Sequence, residues 1–189
     1  INDTTLDLLA ELANECELGD AISKQFGGEL INETENRAVL HTAIRATEKS
    51  CIKINKKDII PSVFKTRSQI KVFTNDLISG KLKGFTGKSF TDIVNIGIGG
   101  SDLGPVMVVE ALKHYSTRLN PHFVSNVDPS HICNTLRDLD PERTLFIVSS
   151  KSFTTQDTIM NAHTARDWLL ESSRNETAVA KHFIAVAAN

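Results

Sequence analysis

Long hydrophobic runs are missing from this sequence. The longest apolar pieces, Phe183–Ala188 and Val106–Val109, are too short to cross a bilayer. Charge of one sign is also missing: 21 Lys and Arg against 23 Asp and Glu give a formal charge of −2. Such a balance leaves no electrostatic footprint for nucleic acid or an anionic membrane surface. Cysteine is sparse. Cys16, Cys51 and Cys133 stand far apart, with no paired metal-ligand spacing and no even-numbered disulfide framework. Reduced thiols in a cytosolic, cytoplasmic protein are the expectation, with no metal and no cofactor. No signal-peptide pattern opens the chain, because Ile1 is followed by the polar run Asn2-Asp3-Thr4-Thr5.

What the sequence does have is 40% hydrophobic residues in 189, enough for one large or two small cores. Residues 1–84 are expected to be helices joined by polar turns. Leu6, Leu9, Leu12 and Ala13 share a helical face, with Gly19 as a stop, and Gly27-Gly28 breaks the chain. A helix is expected over Asn32–Lys49. Pro61 interrupts, and Val63–Leu77 forms a further amphipathic helix. His41 and Arg45 lie one helical turn apart, as on a solvated face.

From Phe85 the texture becomes strand–helix alternation. Strands are expected at Asp92–Ile98, His122–Asn126 and Thr144–Ser149 and from Phe183, with helices to about Tyr115, over Pro129–Leu139 and from Thr154 to Ser172. Pro105 is placed in the first turn of its helix. Repeated βα units imply an α/β fold whose parallel sheet is covered on both faces. Ligands of such sheets bind beyond the C-terminal strand ends.

Two loops leave such ends. After Thr144–Ser149 come Ser150, Lys151, Ser152, Thr154 and Thr155, opening directly into a helix. Unpaired first-turn amides, a positive dipole end, hydroxyls and an ammonium suit a phosphate monoester. Thr154 and Asp157 alone would make a weakened capping box, which accounts for one or two of these hydroxyls but not for the whole set. The second loop, Gly97-Ile98-Gly99-Gly100-Ser101-Asp102, is not a dinucleotide fingerprint, because Asp102 stands where the third glycine belongs. It is not a P-loop either, since Pro105-Val106 follows Gly104 in place of Lys-Ser/Thr. Its glycines allow close backbone approach, and Ser101 can donate.

The segments Gly84-Phe85-Thr86-Gly87-Lys88, Asn95–Pro105 and Ser150–Asp157 together resemble the glucose-6-phosphate isomerase family, and Asn36–Arg45 resembles its helical N-terminal part. The resemblance runs over nearly the whole chain. It implies a three-layer α/β/α sugar-isomerase (SIS) domain at 85–189, lacking a fifth strand after residue 189 and preceded by a helical segment at 1–84, within an enzyme roughly three times this length. It also implies that Gly100 and Ser101 contact a sugar phosphate, and that Ser150, Lys151, Ser152, Thr154 and Thr155 hold its phosphate. The implied reaction is the reversible conversion of glucose 6-phosphate to fructose 6-phosphate, in a homodimer. The acid–base Glu and His and the enediolate-stabilising Arg and Lys of the family lie in segments after the matched portion. None of the six histidines sits in a matching motif, so this portion is expected to be inactive alone. Ser152 and Asp157 stand where the family usually has Thr and Glu. A hydroxyl survives at the first position, and a shorter carboxylate at the second. A non-catalytic domain that senses a sugar phosphate is the alternative class, since it would share the phosphate loop.

Overall fold

The structure, a computed structural model, describes residues 1–116 and 118–188. It divides into two compact units, Ile1–Val72 and Phe73–Asn189.

In the first unit, α1 (Asp3–Glu15) starts on Asn2, whose side chain accepts the Thr5 N–H, and α2 (Leu18–Gly27) ends on the left-handed Gly28. Gly19 is not a stop, for it lies inside α2; the break comes at Glu17, in the left-handed conformation. The helix expected over Asn32–Lys49 does not form. Asn32 Oδ1 accepts from the Glu35 N–H and the Thr34 hydroxyl, and Asn36 turns left-handed so that Asn32 and Arg37 pair as a β-bridge. This local side-chain pairing outcompetes the helical ladder, leaving a single 3-10 turn at Ala43–Arg45. His41 and Arg45 do meet, but through the Arg45 guanidinium on the His41 carbonyl, at 3.0 Å. A two-stranded ladder, β1 (Lys53–Ile54) and β2 (Lys57–Asp58), follows. Pro61 starts α3 (Ile60–Ile78) and does not interrupt, because the first turn asks nothing of its missing N–H. The division between the units falls inside α3.

The second unit holds four parallel strands, β3 (Asp92–Ile96), β4 (Asn120–Val124), β5 (Thr144–Ser149) and β6 (Phe183–Val186), in the order β4-β3-β5-β6. Strand alternation divides their side chains between two cores. Val94, Ile96, Val124 and Phe146 pack on one face with Ile132 and Leu136 of α5 (Pro129–Leu136) and Ala165 of α6 (Gln156–Ser173). Leu145, Ile93 and Ile184 face the other way, toward Phe73 and Leu77 at the end of α3. The sheet is therefore a middle layer. Phe146 anchors the first core, stacked on Phe183 at 4.7 Å and edge-on to Trp168 at 6.0 Å. Arg118 closes the other side, donating to the Leu77 and Ile78 carbonyls that end α3 and to the Phe90 carbonyl.

His182 is fully buried in this unit. Its Nε2 accepts from the Phe85 N–H at 3.0 Å, so Nδ1 carries the proton and donates to the Thr144 carbonyl at 2.7 Å. Burial lowers its pKa, against a smaller upward pull from the Thr144 carbonyl, and Lys181 adds to the lowering. The native state thus keeps it neutral where an unfolded histidine charges. Stability should be flat above about pH 6.5 and fall as pH drops below it, because the unfolded chain then binds the extra proton. Urea midpoints at about pH 7.5 and about pH 5.5 test this; equal midpoints would contradict it. Asp92 titrates in a separate window. Burial pushes its carboxyl up, but hydrogen bonds from His122, Thr91 and Asn120 outweigh that and hold it below the ordinary aspartate value. Its contribution is present above that ordinary value and is lost only as pH falls further, well below the histidine range.

Candidate functional site

The strand order sets the place. The chain passes from β3 to β4 on one side and from β5 to β6 on the other, so the topological switch point lies between β3 and β5. Open α/β sheets bind ligands in the crevice outside the carboxyl ends at such a point. Both candidate loops leave from there: Gly97–Gly99 from β3 into α4 (Gly100–Ala111), and Ser150–Thr155 from β5 into α6.

Neither helix is capped by a side chain at its start. Gly99 is the N-cap of α4 and has none to offer, and Thr155, the N-cap of α6, makes no capping hydrogen bond. By contrast α5, in the same unit, is capped by Asp128 through the Ser130 N–H. The expected capping pair of Thr154 and Asp157 does not form. Thr154 instead shares a 2.5 Å hydrogen bond with the Ser152 hydroxyl, because α6 begins at Gln156 and its N-cap is Thr155, one residue beyond the position a Thr154–Asp157 pair requires. First-turn amides without side-chain acceptors, beside exposed hydroxyls, are what an anion needs.

The hydroxyl loop has a defined shape. Ser150 is buried, with its hydroxyl on Thr155 Oγ1 at 3.3 Å and its N–H on the Val186 carbonyl. The Lys151 carbonyl accepts from the Ala188 N–H. Lys151, Ser152 and Thr154 are exposed and Thr155 half-buried. Phe153, between them, is held in the left-handed region at φ 54°, a conformation that costs a non-glycine residue energy and concentrates at ligand-binding turns. A depression of about 380 Å³ beside it is lined by Phe153, Thr154, Gln156, Ile159 and Met160. A larger one, about 530 Å³, lies along the flanks of α5 and α6 and is lined also by Leu139 and Pro141 from the loop before β5, not by either candidate loop.

On the other loop, Gly100 is exposed and Ser101 half-buried. Asp102 turns inward and is buried, with Oδ1 lacking a partner among the described residues. Its carboxylate is therefore not presented at the turn. Pro105 is not in the first turn as expected, since α4 begins at Gly100 and places it in the second. There it cannot donate to the Ser101 carbonyl, its helical acceptor. The Asn95 side chain does so instead, at 3.1 Å. Gly97 is held to glycine by this same approach, because a Cβ there would sit 2.8 Å from the Ser101 carbonyl oxygen. The Ser149 hydroxyl in turn donates to Asn95 Oδ1 at 3.2 Å.

The structure thus brings Ser101 and the start of the Ser150–Thr155 loop to adjacent strand ends. Asn95 was not singled out from the sequence, although one amide amid Ile93, Val94 and Ile96 is a visible irregularity in a buried strand. Of the histidines, His182 is a buried structural group and His122 binds Asp92 at 3.0 Å. Among the described residues no cluster could hold a metal, and no helix is long and apolar enough to cross a membrane.

Comparison with known proteins gives four findings. The sequence model of the phosphoglucose isomerase family matches residues 1–189. A curated glucose-6-phosphate isomerase from Christiangramia forsetii is 54% identical over 189 residues, all of this chain and 35% of that protein. A crystal structure of a glucose-6-phosphate isomerase from Chlamydia trachomatis superposes with a TM-score of 0.79 at 30% identity, over 99% of this chain and 35% of that one. A hypothetical protein from Thermus thermophilus matches less fully, with a TM-score of 0.53 at 25% identity over 65% of this chain and 27% of that one. The chain spans about a third of the length of the glucose-6-phosphate isomerases it matches.

Proposed function

The chain belongs to the phosphoglucose isomerase family, and from that premise we propose that it is the phosphate-gripping portion of an aldose–ketose isomerase acting on glucose 6-phosphate and fructose 6-phosphate. The observation that carries this reading is the pair of uncapped helix starts at the adjacent ends of β3 and β5, with Lys151 and the hydroxyls beside them. Gly100 and Ser101 contact the sugar phosphate from one loop. Ser150, Lys151, Ser152, Thr154 and Thr155 hold the phosphate from the other, with the buried Ser150 acting through Thr155.

Isomerisation opens the ring, moves a proton between C2 and C1 and passes through an enediolate, so it needs an acid–base carboxylate, a ring-opening group and positive charge. Those groups belong to the remaining two thirds of the protein. Residues 85–189 form the first sugar-isomerase domain and 1–84 the segment before it. The complete enzyme is a cytoplasmic homodimer with neither nucleic acid nor membrane as partner, and it needs no cofactor.

Calorimetry on residues 1–189 should show fructose 6-phosphate binding, displaced by inorganic phosphate, and no binding of fructose. A coupled assay should show turnover only for the longer protein. Equal binding of fructose and fructose 6-phosphate would defeat the phosphate grip. Turnover by residues 1–189 would place the acid and base inside them. Binding without turnover in the longer protein would favour a sensing domain.

A further inference from the structure

Asn95 is the one polar residue at the switch-point end of β3, and it is 8% exposed. A buried amide is costly unless both ends are paired. Here one end is paired to the glycine turn and the other to the end of β5. Nδ2 donates to the Ser101 carbonyl, which Pro105 leaves without its helical donor, and Oδ1 accepts from Ser149, the last residue of β5. The register explains the reach. Asn95 lies opposite Ile147, and Ser149 follows two residues later on the same face. Gly97 lets the Ser101 turn close down on the strand end. Asn95 and Gly97 thus meet at the Ser101 carbonyl that Pro105 leaves open, and Ser149 meets the other end of the Asn95 amide.

We propose that Asn95 is a positioning residue that locks the glycine turn to the start of the hydroxyl loop, so that both grip a single phosphate as one rigid unit. This rests on the phosphate reading of the site. Asn95 need not touch substrate. It sets the spacing between Ser101 and the loop that begins at Ser150, and its loss lets the two move independently. Binding geometry that is no longer prearranged is paid for in affinity for the phosphate end, while the reacting carbons, served by other groups, are less affected.

The test uses the longer protein with Asn95→Ala, Asn95→Asp and Ser149→Ala. Asn95→Asp keeps the shape but turns the donor into an acceptor facing the Ser101 carbonyl. Ser149→Ala removes one of the two bonds at a half-buried position and should fold normally. Both Asn95 variants should raise KM for fructose 6-phosphate about tenfold and weaken competitive inhibition by inorganic phosphate in parallel, with kcat within about threefold of the parent. Ser149→Ala should show the same split at about threefold. A lowered melting temperature with unchanged KM and unchanged phosphate inhibition in all folded variants would make Asn95 a packing residue only and overturn the proposal. A kcat loss with KM unchanged would also overturn it. A parent enzyme that phosphate does not inhibit would remove the underlying phosphate site, and that result is read before any variant is made.

Discussion

Gly84→Ala should destabilise the sheet unit by about 3 kcal/mol, a fall of roughly 10 °C in its melting temperature. A Cβ at Gly84 would lie 2.5 Å from the Glu142 carbonyl oxygen and 2.8 Å from His182 Nε2. Neither neighbour can yield cheaply. Glu142 belongs to the turn that leads into β5, where Lys88 pairs with its carboxylate. His182 is fully buried, wedged between Phe85 and Phe90 with ring centroids 5.4 and 5.0 Å away, and hydrogen-bonded at both nitrogens. Moving the ring would orphan the Phe85 N–H and the Thr144 carbonyl, each a desolvated group costing about 1–3 kcal/mol unpaired. Gly104→Ala is the matched control. Nothing lies within 4 Å of its added methyl, and alanine inside a helix is favoured over glycine by about 0.5–1 kcal/mol. Equal melting temperatures for the two variants would refute the argument.

The second large effect is at the proposed phosphate grip. Lys151→Ala should weaken fructose 6-phosphate binding about thirtyfold, the loss of one charge-assisted hydrogen bond to a phosphate oxygen. It should also flatten the dependence of affinity on salt, since an exposed ammonium–phosphate contact is screened. Lys151 is exposed, at a loop whose backbone is held through the Lys151 carbonyl to Ala188 and through the Ser150 N–H to Val186. Lys151→Arg keeps the charge but replaces a compact ammonium with a planar fork, and should recover part of the affinity and all of the salt dependence. Titration calorimetry at two salt concentrations reads both quantities. An unchanged Kd in Lys151→Ala would show that the amides and hydroxyls alone hold the anion.

Much of the second unit was legible in the linear order of residues. Short β-branched runs separated by helical periods identify β3 to β6 and α4 to α6, because periods of 2 and 3.6 are properties of neighbouring residues. The hydroxyl loop was legible for the same reason: its donors are consecutive. The first unit was less so. Asn32–Lys49 carries a helical spacing of apolar residues, yet a turn built by Asn32 and a left-handed Asn36 satisfies the backbone first.

By itself, then, the sequence determined the α/β class, the four strands and the run of consecutive hydroxyls between β5 and α6 that is proposed to hold a phosphate. All of these depend on contacts within a few residues. Only the tertiary structure decided that β3 and β5 are neighbours, that Asn95 joins Ser101 to Ser149, and that Gly84 exists to admit His182. The physical reason is range. A buried hydrogen-bonding group is satisfied by whichever partner the fold brings to it, and the Phe85–His182 bond spans 97 positions that no local pattern records.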